Sequence, residues 1–158
     1  MKRVIQELER LCVLHEHLLT LSERKTEALK KNEIKELSEI LTKEQKYVQA
    51  IEQTEEARIE ATKECLGKAD TTISTCISEA EGSDKTALEQ LFERMSQLVT
   101  RLKDVNHLNK QLTIQSLQFI TLTLDMLLPK EGNANYGKPQ EPSQSRGSSR
   151  LSLFDSKA

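Results

Sequence analysis

The chain has 158 residues, about one domain's worth, with aromatics at 3%, no Trp and 30% charged residues. So few rings exclude an aromatic core and point to aliphatic, elongated packing. A net charge of −2, from 23 basic and 25 acidic residues that are interleaved, argues against a nucleic-acid surface, which needs clustered Lys and Arg to neutralise phosphates.

The first helix is predicted over 2–30. Val4, Ile5, Leu8, Leu11, Cys12, His15, Leu18, Leu19 and Ser22 form an apolar face wide enough to touch two neighbours. Lys30 and Lys31 suit a helix C-terminus, and Asn32 is expected to N-cap the next helix, with Glu33 and Glu36 in its first turn. A loop this short makes an antiparallel hairpin. The second helix is predicted over 33–66, with Gly67 as its stop. Its inward stripe is Ile34, Leu37, Leu41, Val48 and Ile51, fading beyond Glu55, which predicts loose packing in the distal half of the hairpin.

A connector follows, in which Asp70 is expected to cap a short helix carrying Ile73, Cys76 and Ile77. Gly82, Ser83 and Asp84 then make the turn and cap of a final helix. Positions 83–128 contain neither Gly nor Pro, and Pro129 ends the run. Such a helix spans about 68 Å at ~1.5 Å per residue. Leu88, Leu91, Met95, Leu98, Leu102, Val105, Asn109, Leu112, Ser116 and Phe119 alternate by three and four. Asn109 stands where a Leu would fit, either fixing register or tolerated at a boundary. From Leu112 onward the apolar residues surround the cylinder, and only Lys110 and Asp125 are charged in 109–128. A helix apolar all round is buried on every side or awaits a partner.

The fold class is therefore all-α: an elongated antiparallel hairpin, a short connector helix and one very long C-terminal helix, occupying 1–128. Residues 129–158, rich in Pro, Gly, Ser, Asn and Gln, read as a disordered tail. Tyr136 beside Gly137, and Leu151-Ser152-Leu153-Phe154-Asp155, break its polarity as short docking motifs do. A random coil of that length reaches roughly 30 Å.

Chemistry-bearing motifs are few. There is no phosphate loop, zincin motif or nucleophile elbow. Cys12 and His15, three apart, have the spacing of a metal pair or a nucleophile and base, but both lie on the apolar face, where a core role is the plainer reading. No enzyme, metal or cofactor is expected. Three cysteines without paired spacing favour reduced thiols. The N-terminus reaches acidic residues before any signal-like run, and 109–128 is too polar to span a membrane, so a cytoplasmic location is expected.

Asn106-His107-Leu108-Asn109-Lys110-Gln111-Leu112, followed by Ser116-Leu117-Gln118-Phe119-Ile120, resembles the signature of the FlgN family of flagellar export chaperones. The small acidic helical plan and the Tyr-Gly pair of the tail are similar as well. The resemblance implies a cytoplasmic monomer or weak homodimer that binds the C-terminal helices of hook–filament junction proteins, keeps them unassembled and delivers them to the export gate. By position, Asn106 and Asn109 would face the client backbone or fix register. Leu112, Leu117, Phe119, Ile120, Leu124 and Leu127 would bury its apolar side chains, and Tyr136 with Gly137 would engage the gate. The alternative is a structural homo-oligomeric coiled coil in which the long helix pairs with itself.

Overall fold

A computed structural model describes residues 1–67 and 72–128. Four helices follow one another: α1 (Lys2–Lys31), α2 (Ile34–Leu66), α3 (Ile73–Glu79) and α4 (Gly82–Leu127). The all-α expectation holds, with the hairpin, the short connector helix and the 46-residue final helix in their expected places.

Asn32 does not N-cap α2. It adopts the left-handed conformation (φ 57°, ψ 36°) and closes α1 instead, with Glu33 N–H donating to Ala28 O at 2.9 Å. Asn suits both positions, but between two helices this close it serves the one that needs positive φ. Glu33 takes the N-cap place of α2 without a side-chain cap. Gly67 ends α2 in the left-handed conformation, as expected. Thr72 caps α3, accepting from Thr75 N–H at 3.3 Å, whereas Asp70 lies outside the described residues. α4 begins one turn early: Glu81 is its N-cap, and Asp84 sits inside the first turn, where its charge meets the helix dipole without capping it.

α1 is the central element, packed against α2 on one side and α4 on the other. Its wide apolar stripe explains that position, because one face serves both neighbours. Ion pairs report direction. Arg3–Glu64 at 2.6 Å, Lys25–Glu44 at 2.7 Å and Arg24–Glu36 at 2.7 Å run in opposite senses along α1 and α2, so the hairpin is antiparallel. Glu16–Arg94 at 2.6 Å and Glu23–Arg101 at 2.9 Å rise together, so α4 runs parallel to α1.

The main core gathers Val4, Leu8, Leu11, Cys12, Ala61, Cys76, Leu88, Leu91, Leu98 and Leu102. The distal half of the hairpin is thus not loosely packed. Ala61 and Thr62 are fully enclosed, and the buried stem of Arg58 is held by Glu55 at 2.6 Å. Small side chains let the helices approach closely, and a stripe counted in large apolar residues misses them. The other end of α2 is the reverse. Ile40 is buried there, while Ile34, Leu41 and Val48, expected inward, are exposed.

Candidate functional site

Four contacts set how far α4 travels along α1. Cys12 Sγ lies 4.0 Å from Leu91 O, Glu16 and Glu23 meet Arg94 and Arg101, and Thr26 Oγ1 donates to Asn109 Oδ1 at 2.7 Å. α1 ends at Lys31, level with the α4 turn around Thr113 and Ser116. The remainder of α4, from Leu117, continues past the hairpin turn for roughly 16 Å at ~1.5 Å per residue. Every large apolar residue on that overhang is exposed: Leu117, Phe119 at 71%, Ile120, Leu122, Leu124, Met126 and Leu127. Exposed hydrophobic residues are ordinary singly, but a contiguous set marks a binding surface.

Between the overhang and the hairpin turn lies an apolar cleft of about 760 Å³, walled by Ile34 and Leu37 of α2 and by Leu112, Leu117, Phe119 and Ile120 of α4. A second cleft of about 440 Å³ continues it along the gap between α2 and α4, reaching Leu41, Asn106 and Ile114. Both clefts share Leu29, Leu37 and Thr113, so they form one trough with α1 as its floor.

The sequence-derived candidates fall into four groups. Leu112, Leu117, Phe119 and Ile120 line the larger cleft together. Leu124 and Leu127 are exposed on the overhang beyond it, and Asn106 is exposed at the rim of the smaller cleft. Asn109 is 4% exposed and turned into the protein's own interior. Its Nδ2 donates to Ser22 O at 2.9 Å while the residue also lines the smaller cleft; of the two roles the resemblance implied, fixing register suits this geometry. Tyr136 and Gly137 lie outside the described residues, as do Leu151, Leu153 and Phe154. Ile34, Leu37 and Leu41 also line these clefts, although their three-four spacing alone does not distinguish a client-facing seam from a hairpin contact.

Cys12 and His15 make no reactive pair. Cys12 is completely buried, and burial pushes its thiol up, which keeps it protonated. His15 Nδ1 donates to Leu11 O at 2.7 Å within its own helix. No described helix is long and apolar enough to cross a membrane.

Comparison with known proteins bears on this surface. A protein of Bacillus subtilis (strain 168), "Uncharacterized protein YvyG", is 58% identical over 158 residues, covering 99% of this chain and 98% of that one. No solved structure matches. The family described as FlgN protein matches residues 1–144, which include all four helices and the trough. The chain belongs to the FlgN family, and membership implies a flagellar export chaperone role.

Proposed function

We propose that the protein is a cytoplasmic chaperone of flagellar type III export that holds the C-terminal amphipathic helices of hook–filament junction proteins. The observation that carries this reading is the α4 overhang, an apolar helix surface with no partner among the described residues. Leu112, Leu117, Phe119, Ile120, Leu124 and Leu127 take the client's apolar side chains. Covering the client's helices prevents their premature assembly. Each such side chain buried against the client contributes about 1.5–3 kcal/mol before ordering costs. Residues 1–128 act as the client-holding domain, and residues 129–158 as an arm that brings Tyr136 and Gly137 to the export gate.

The test is titration of the full chain with a junction protein. Phe119→Asp places an unpaired charge in the interface and is expected to abolish binding with helix content unchanged. Full affinity in that variant would place the client elsewhere, and loss of helix would make Phe119 part of the core. Sedimentation addresses the homo-oligomer: a chaperone forms a discrete complex with its client, whereas a structural coiled coil sediments as a stable oligomer of itself.

A further inference from the structure

We propose that the client helix lies in the trough between α2 and α4, with Ile34, Leu37 and Leu41 as its second wall, and that the trough selects a helix with acidic flanks. The proposal rests on the chaperone reading above and adds to it a second binding element and a charge preference.

Two open seams face this trough. On α2, Ile34, Leu37 and Leu41 recur by three and four, the spacing of a helix-packing seam, yet Ile34 is 77% and Leu41 50% exposed. On α4, Ile114, Leu117 and Ile120 recur by three, line the same clefts and are exposed as well. α2 and α4 each pack along α1 but not along one another, so the space over α1 between them is open. Two apolar walls above a common floor accommodate one further helix, which completes a four-helix arrangement.

Charge decides among occupants. The chain is net −2, but the neighbourhood of the trough is not acidic. Glu27, Glu36 and Glu44 are each committed to a cation, namely Lys30, Arg24 and Lys25. Lys25, Lys30 and Lys110 line the two clefts against a single carboxylate in their walls, Glu33, and Lys110 has no salt bridge among the described residues. A second copy would bring its own overhang, whose single acid is Asp125, and would set the same lysines face to face. Residues 129–158 carry five basic and three acidic residues, so the tail of this chain repeats the sign of the trough rather than opposing it. A partner helix with Glu or Asp beside its apolar stripe matches on both counts.

The probes are three synthetic helices of about five turns, with one Leu seam and either Glu, Gln or Lys flanks, titrated into the full chain by fluorescence anisotropy. The Glu-flanked peptide is expected to bind about tenfold more tightly than the Lys-flanked one at low ionic strength, with the difference shrinking in salt. Leu41→Asp is expected to weaken it about tenfold, as a wall residue of a helix groove would. Ile34→Asp, at a largely exposed position, carries the same test should Leu41→Asp alter helix content. Lys110→Glu is expected to reduce the preference for acidic flanks. Loss of binding in Phe119→Asp with full affinity in Leu41→Asp and Ile34→Asp overturns the second wall and leaves the chaperone reading standing. Absence of binding to any peptide or to a junction protein takes down both. Equal affinity for Glu and Lys flanks overturns the charge preference. A dimer that Leu41→Asp disperses assigns the trough to a second copy and overturns the proposal. Protection of residues 151–154 from hydrogen exchange in the full chain, lost in Leu41→Asp, assigns it to the tail and does the same.

Discussion

Thr26 Oγ1 donates to Asn109 Oδ1 at 2.7 Å across the α1–α4 interface, and this bond fixes how far the final helix projects. Asn109 also donates to Ser22 O, while the Ser22 hydroxyl donates to Glu44 at 3.3 Å, and Glu44 holds Lys25. One polar cluster therefore ties all three long helices at a single level. Only one sliding position of α4 satisfies it, and that position leaves the segment beyond Leu117 uncovered.

Replacing Asn109 by Ala is expected to cost about 1–3 kcal/mol, because groups enclosed with it lose their partner. Asn109→Leu is expected to melt at an equal or higher temperature but to lose the single register. Spin labels at positions 34 and 120 check this: a broadened distance distribution in Asn109→Leu is the expected result, and an unchanged one would detach register from Asn109.

Leu88 is 0% and Leu117 60% exposed, so one chemical change separates core from overhang. Leu88→Ala is expected to destabilise the chain by about 2–5 kcal/mol. Leu117→Ala is expected to change stability by no more than about 0.5 kcal/mol while weakening client binding. Urea denaturation of both variants reads the difference; similar losses would make the overhang part of the core.

Of the three thiols, Cys65 is exposed, with the Met1 ammonium donating to its Sγ at 3.3 Å, whereas Cys12 and Cys76 are buried. One fast-reacting thiol is expected with a colorimetric disulfide reagent in native buffer, and three in denaturant. Folded Cys12 holds its proton more tightly than the unfolded chain does. Its contribution is therefore complete below the ordinary thiol range of about 8.5 and is lost as pH rises above it. Cys12→Ala is expected to flatten the alkaline part of the stability profile, measured by melting temperature against pH.

Tyr136→Ala is expected to leave the helix content and client affinity unchanged and to weaken contact with the export gate, slowing secretion of the junction protein. The competing expectation is that the tail covers the client groove. A truncation after Leu128 that tightens client binding, together with normal gate contact in Tyr136→Ala, would favour the cover.

Helix existence and class were legible in the sequence because they depend on local chemistry. Gly67 terminates α2 where positive φ is needed, and the run without Gly or Pro became a helix ending at Leu127. The all-round apolarity beyond Leu112 was equally plain, since apolar side chains on every side of a cylinder cannot all face a single neighbour. Periodicity names the residues that share a face, but not what that face meets. On α2, Ile34 and Leu41 are exposed rather than turned inward and Leu37 is half-buried, because Ile40 and the small pair Ala61 and Thr62 are the residues enclosed in the hairpin. Asn32 could cap either helix, and only the geometry of the turn chose. The sequence by itself determined four helices and a surplus of apolar surface. The tertiary structure decided where the surplus lies, because the register between α1 and α4 is set by groups more than eighty residues apart, Ser22 and Thr26 against Asn109.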